Sequence, residues 1–154
     1  MGYRSNVRIL TTKKGYEELK KYVEEHVNEF KKNNLKEGTI ANYMDCDFNL
    51  LNQTDISNLS SNKSQIYIGW NDLKWYNGYE DVDAIMAGLN HLEENNFSYR
   101  YARMGESYDD YEEQYYESEI EEEQDLYYPS MIRGFDDEWI IEQIQSYTQE
   151  ELEI

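Results

Sequence analysis

The chain has 154 residues, 39% of them hydrophobic, with 16 tyrosines, one proline and a single cysteine. That length suits one domain with a sizeable core and room for an appendage, and the lone Cys46 excludes an intrachain disulfide and points to a reducing compartment. The formal net charge is −19, and it is uneven: residues 1–34 carry +3, residues 35–100 carry −6 and residues 101–154 carry −16, so the C-terminal third repels nucleic acid and anionic membrane and attracts basic partners.

"YRSNVRILTT" (3–12) alternates as a strand, with Val7 and Ile9 on one face and Arg4, Asn6 and Arg8 on the other. Residues 13–34 read as an amphipathic helix, because Tyr16, Leu19, Val23, Val27 and Phe30 recur at spacings of three and four. A second strand is expected within residues 38–53, paired over Tyr43 to Leu51, and the turn-rich residues 54–64 read as a connection. "QIYIGWNDLKWY" (65–76) is a third strand with Ile66, Ile68 and Trp70 on one face. Residues 77–96 form a second helix with Val82, Ile85, Met86, Leu89 and Leu92 along its stripe, and "FSYRYARM" (97–104) a fourth strand.

The order predicts an α+β fold: a ferredoxin-like β-α-β-β-α-β core over residues 1–104, with both helices on one sheet face. Residues 105–154 make an acidic, Tyr-rich extension. In it, Tyr127, Tyr128, Met131 and Ile132 suggest a further strand or hairpin arm. A helix starting at "DDEW" (136–139) offers Trp139, Ile140, Ile144 and Tyr147 as its apolar face, to pack on the core or across the open sheet face.

Enzyme constellations are missing. There is no phosphate-binding glycine loop, dinucleotide fingerprint, CxxC or HExxH. His26 and His91 lie on the two helices with no nucleophile at a recognisable spacing, so a structural role is expected for each. Cys46 stands between Asp45 and Asp47, which disfavour a thiolate. "DCDFN" (45–49) starts like a calcium-binding loop, but Leu50 replaces the turn glycine and Ile56 the bidentate glutamate. Asp45, Asp47 and Asp72 are a weaker cation candidate than a solvated face, and no cofactor or metal is expected. Gly105 in "ARMGES" suggests a turn that aims Arg103 and Glu106, either as a structural ion pair or as a binding element.

"MGYRSNVRI", "KWYNGYEDVDAIM" and "YRYARMGESYDD" resemble segments of short phage and prophage proteins. Those proteins open Met-Gly-Tyr-Arg-Ser, here Met1–Ser5, and carry a later Arg-x-Gly-Glu-acidic segment, here Arg103–Asp110. The resemblance covers roughly the first 110 residues. It implies a phage context and no assigned reaction. A cytoplasmic location is expected, in the host cell for a phage-encoded chain, since no signal-like or bilayer-spanning run is visible.

The informative stretch is "GESYDDYEEQYYESEIEEEQD" (105–125), in which eleven of 21 residues are acids, four are tyrosines and none is basic. A solubilising tail is poor in aromatics, whereas tyrosine is an interface residue. Same-face carboxylates on a strand repeat at about 6.6 Å, near the roughly 6–7 Å between successive phosphates of one nucleic-acid strand, whose axial rise is about 3.4 Å. Rings among them fill places where bases stack. The sequence is therefore expected to encode a non-enzymatic inhibitor, analogous to phage acidic DNA mimics. Its partner is expected to be a basic nucleic-acid-binding protein, a host CRISPR or restriction nuclease or defence complex, with no direct contact to nucleic acid or membrane. The expected phosphate stand-ins are Glu106, Asp109, Asp110, Glu112, Glu113, Glu117, Glu119, Glu121, Glu122 and Glu123, with Tyr111, Tyr115 and Tyr116 as contacts, and α-helical Lys residues of 13–34 facing away. The alternatives are an immunity or antitoxin-type protein neutralising a basic nuclease toxin, and a divalent-cation-binding protein or enzyme that uses the carboxylates.

Overall fold

Alternation in the first strand sets the layering. The computed structural model describes residues 2–36, 49–59, 65–107, 109–127 and 135–153, with backbone alone for 34–36 and 146–153. In it, β1 (Ser5–Thr12) is the central strand of a five-stranded antiparallel sheet. β2 (Ile56–Ser57), β3 (Gln65–Leu73), β4 (Tyr99–Met104) and β5 (Tyr111–Tyr116) complete the order β2-β3-β1-β4-β5. Three α-helices accompany it among the described residues: α1 (Lys13–Lys36), α2 (Glu80–Glu94) and α3 (Asp137–Glu153). The fold is mixed α and β, and among the described residues its sheet has a fifth strand beyond the four expected of the core.

The registers Val7↔Trp70, Ile9↔Ile68 and Ile9↔Tyr101 align the apolar side chains of β1, β3 and β4 on one face. α1 and α2 cover that face, and Leu19, Val23, Val82, Ile85, Leu89 and Leu92 are fully buried with it. Two histidine–glutamate contacts clasp the helices together: His26 Nε2 to Glu80 at 3.2 Å and His91 Nε2 to Glu18 at 2.9 Å. Tyr22 stacks on His91 between them, with ring centroids 4.6 Å apart. Both histidines thus join one helix to the other.

The opposite face carries Leu10 and Tyr67, and α3 lies over it through Ile140 and Ile144. Helices therefore cover both sides of the sheet. Arg8, expected on the polar face of β1, is only 2% exposed because that face is roofed by α3. Its guanidinium donates to both Asp137 carboxylate oxygens at 2.8 and 3.1 Å, to Asn71 Oδ1 at 2.7 Å and to the carbonyls of Val7 and Trp70 at 3.0 Å. The Tyr67 hydroxyl donates to the same Asp137 at 2.6 Å, and burial first, then that carboxylate, pushes its pKa far above the ordinary phenol value. Gly69 pairs across from Arg8, and a Cβ there would collide with the Arg8 side chain and the Val7 carbonyl. A residue without a side chain is what gives the buried guanidinium its room.

The second strand departs from expectation. Residues 37–48, which include Tyr43, Asp45, Cys46 and Asp47, lie outside the described residues. Leu50–Asn52 is a 3-10 turn, not a strand. Asn49 caps it by accepting the Leu51 N–H at 3.0 Å, Leu50 and Leu51 are buried, and the Leu50 carbonyl accepts Trp70 Nε1–H at 2.9 Å. The strand next to β3 is Ile56–Ser57, inside the stretch read as a connection. A short apolar run looks alike as strand or as buried turn, and here the cap decides.

The extension beginning at residue 105 is continuous with the sheet: β5 pairs with β4 from Tyr99↔Tyr116 to Met104↔Tyr111. In α3, Ile140 and Ile144 face the sheet, whereas Trp139, expected on the same face, is 45% exposed. Residues 128–134, with Tyr128, Met131 and Ile132, and the side chain of Tyr147 lie outside the described residues. Tyr127 belongs to no strand.

Candidate functional site

The acidic stretch is folded through turns that its own residues make. β4 ends at Met104, and the chain reverses through Gly105, whose N–H donates to the Asp110 carbonyl at 2.8 Å. A Cβ on Gly105 would strike the Asp110 carboxylate and the Tyr3 ring. The loop is pinned to the N-terminal segment from two sides. Tyr3 donates its hydroxyl to Asp110, and the Arg4 N–H donates to Glu106 Oε2 at 2.7 Å.

Arg103 is the centre of this corner. It donates to Asp110 Oδ1 at 2.8 Å, Glu112 Oε1 at 3.1 Å and Ser5 Oγ at 3.0 Å. The partner of Arg103 in the expected ion pair is thus Asp110 with Glu112, and Glu106 serves a backbone amide instead. Tyr101 donates its hydroxyl to Glu112 at 2.7 Å, and burial first, then Glu112, raises its pKa well above the ordinary phenol range. The Arg103 hydrogen bond, followed by that of Tyr3, holds the Asp110 carboxyl below the ordinary aspartate value.

A carboxyl that is more acidic folded than unfolded stabilises the fold above the ordinary Asp range and loses that contribution as pH falls through the depressed folded value. The stability lead of the parent over Asp110→Asn is therefore expected to be level near neutral pH and to shrink as the solution is acidified through and below the ordinary aspartate range. Urea unfolding of both proteins across that range checks it. A lead that stays unchanged on acidification below the ordinary aspartate range contradicts it. Asp81, whose pKa burial raises, has the opposite sign, and it cancels because both proteins contain it.

The register separates the faces of β5. Glu112, Gln114 and Tyr116 lie opposite Arg103, Tyr101 and Tyr99, on the side of α1 and α2. Tyr111, Glu113 and Tyr115 lie opposite Met104, Ala102 and Arg100, on the other side. Tyr111 and Tyr115 are 63% and 62% exposed. The buried Arg100 reaches outward to both elements of this edge: its guanidinium sits 5.1 Å from the Tyr115 ring centroid and 3.8 Å from a Glu117 carboxylate oxygen. Tyr116 is half-buried, packs on the core and donates its hydroxyl to Asn96 at 2.7 Å.

After β5 the chain turns at Ser118, which is buried, and enters a 3-10 turn over Glu121–Glu123. Glu123 is 3% exposed. Its carboxylate accepts the Thr12 hydroxyl, 2.8 Å from either oxygen, and the Ser98 N–H at 3.2 Å.

The ten expected phosphate stand-ins therefore divide in two. Glu106, Asp110, Glu112, Glu117 and Glu123 are engaged within the molecule. Asp109, Glu113, Glu119, Glu121 and Glu122 are exposed and form no ion pair among the described residues. Arg100 was missed as a site residue. Its signal was the alternation of "SYRYAR", which sets Arg100 on the face opposite Tyr99 and Tyr101. Among the described residues, no group of three or more His, Cys, Asp and Glu is placed to hold a metal ion, and no helix is long and apolar enough to cross a membrane. Comparison with protein-family models, curated proteins and solved structures found no match.

Proposed function

We propose that the chain is a phage-type, non-enzymatic inhibitor that occupies the basic nucleic-acid-binding surface of a host defence nuclease, of the CRISPR or restriction kind, by presenting carboxylates in place of phosphates. The observation that carries this reading is a set of exposed acids with no ion pair among the described residues, Asp109, Glu113, Glu119, Glu121 and Glu122, with Glu113 on the strand face that also bears the exposed rings of Tyr111 and Tyr115. Carboxylates carried on a folded backbone lose less conformational entropy on binding than those of a flexible acidic tail. A groove built to displace counterions from DNA also favours a rigid polyanion, and steering speeds the encounter. We read the scaffold as a ferredoxin-like core with β5 appended outside β4. The order β2-β3-β1-β4 and the packing of α1 and α2 on one face support that finer description.

The test is displacement of duplex DNA from a panel of Cas9-type and restriction nucleases, measured by fluorescence anisotropy at rising salt. The protein is expected to displace DNA from at least one of them, less effectively as salt increases. The five-site amide variant Asp109→Asn, Glu113→Gln, Glu119→Gln, Glu121→Gln, Glu122→Gln is expected to lose about tenfold or more in potency with an unchanged circular dichroism spectrum. No displacement from any nuclease, or full potency in the amide variant, refutes the proposal.

A further inference from the structure

Among the described residues, β5 is the last strand of the sheet and nothing pairs with its outer side. Alternate residues of such a strand hold their N–H and C=O groups outward, ready for a further strand. We infer that β5 takes up a basic, extended segment of the partner protein as a sixth strand; this rests on the proposal that the partner is basic.

The inner side of β5 shows what kind of strand suits it. β4 sets Arg100 opposite Tyr115 and Arg103 opposite Glu112. Both arginines use the pairing: one guanidinium lies 5.1 Å from the Tyr115 ring centroid, the other 3.1 Å from the Glu112 carboxylate. β5 is thus already matched to a strand bearing arginines. On the face shared with Arg100, Glu113 forms no ion pair among the described residues and is flanked at alternate positions by the exposed rings of Tyr111 and of Tyr115, the latter already beside Arg100. Same-face neighbours along a strand are about 6.6 Å apart and adjoining strands about 4.8 Å. A lysine or arginine opposite Glu113 would therefore meet a carboxylate in front and a tyrosine ring on each side, combining an ion pair with cation–π contact.

A second copy of the chain fits this edge poorly. Each copy carries a formal net charge of −19, and antiparallel self-pairing brings Glu112 and Glu113 of both edges close together. Like charges set near one another across strands are destabilising. An apolar segment would leave Glu113 without a counter-charge. A basic strand satisfies the backbone and the carboxylate at once and brings a cation beside the Tyr111 ring.

The experiment uses the full chain, labelled with ¹⁵N, and three capped heptapeptides. One alternates arginine and valine, the second is the same peptide methylated on every backbone nitrogen, and the third alternates glutamate and valine. Amide shifts report the site, and calorimetry reports affinity. The first peptide is expected to bind and to shift the amides of Tyr111–Tyr116. The methylated peptide, with the same charge and no N–H donors, is expected to bind about tenfold or more weakly, and the acidic peptide not at all. Equal binding of the first two overturns strand addition and leaves the charge-based function standing. Binding of neither overturns strand addition as well. A concentration-dependent dimer whose interface is β5, seen by sedimentation and by the same amides, assigns the edge to a second copy and overturns the inference. Failure of the function itself is read separately, in the DNA-displacement assay.

Discussion

Asp137→Ala is expected to lower the free energy of unfolding by about 3 kcal/mol or more, because it leaves a buried guanidinium without its charge partner. Arg8 lies under α3 with a side chain 3% exposed, and Asp137 itself is 22% exposed. Asn71 and the carbonyls of Val7 and Trp70 still accept from Arg8 in the variant, yet none of them carries charge. Tyr67 loses its acceptor at the same time. The damage is expected to spread beyond the pair, since Asp137 opens the first turn of α3 and its negative charge also suits that end of a helix. Ile140 and Ile144 are held on the sheet from this anchor. Hydrogen exchange is therefore expected to quicken across α3 more than across α1 or α2. Thermal or urea unfolding gives the magnitude. The triple variant Arg8→Met, Tyr67→Phe, Asp137→Leu is the counterpart: it replaces the whole polar group by apolar side chains and is expected to recover most of the loss. A cost below about 1 kcal/mol for Asp137→Ala would show that the ion pair does not hold α3.

The burial of Arg8 is not written in its own segment. Arg8 alternates with Val7 and Ile9, and alternation alone assigns it to the solvent side of a two-layer fold. α3 makes the position buried by lying over that side. The C-terminal helix was expected on the core or across the open sheet face, and periodicity within one segment does not choose between the two. The helices were legible for the opposite reason. The stripes of α1 and α2 lie within single segments, and Leu19, Val23, Val82, Ile85 and Leu89 are fully buried as their spacing requires. β1, β3 and β4 were legible from their alternating apolar residues, although their ends moved by a few positions.

β5 was hidden because "YEEQYY" contains no aliphatic residue. It is a strand by virtue of its neighbour: Arg100 and Arg103 of β4 supply the counter-charges, and Tyr99 and Tyr101 the pairing surface. Composition reports net charge and is blind to pairing. It grouped Glu112, held by Arg103 and Tyr101, with Glu113, which faces solvent. The distinction matters for function, since a carboxylate already bonded inside the molecule has less to offer a partner. A surface defined by exposure is smaller than the charge run that encodes it.

Glu123 tests that distinction most sharply. Counted by charge, it is one of the ten phosphate stand-ins. By position, it is a structural anion. α1 begins at Lys13 with lysines at 13 and 14 and no acid in its first turn, the wrong charge for the positive end of a helix dipole. Thr12 corrects part of this by accepting the Gly15 N–H at 3.0 Å in the manner of an N-cap. The Thr12 hydroxyl then donates to Glu123, which also accepts the Ser98 N–H and so ties the cap to the start of β4. A carboxylate more than a hundred residues away along the chain thereby supplies the negative charge that the first turn lacks. Glu123→Ala removes a buried acceptor from both donors and is expected to destabilise the fold by about 2–3 kcal/mol. Glu123→Gln keeps an acceptor oxygen, loses the charge and is expected to cost about 1 kcal/mol. Exchange of the Gly15 amide should quicken in both variants, more in the alanine form. In the DNA-displacement assay, performed where each variant remains folded, potency should match the parent. If Glu123→Gln keeps full stability but loses potency, the carboxylate belongs to the partner-facing surface, and the division between structural and exposed acids fails at its most buried member.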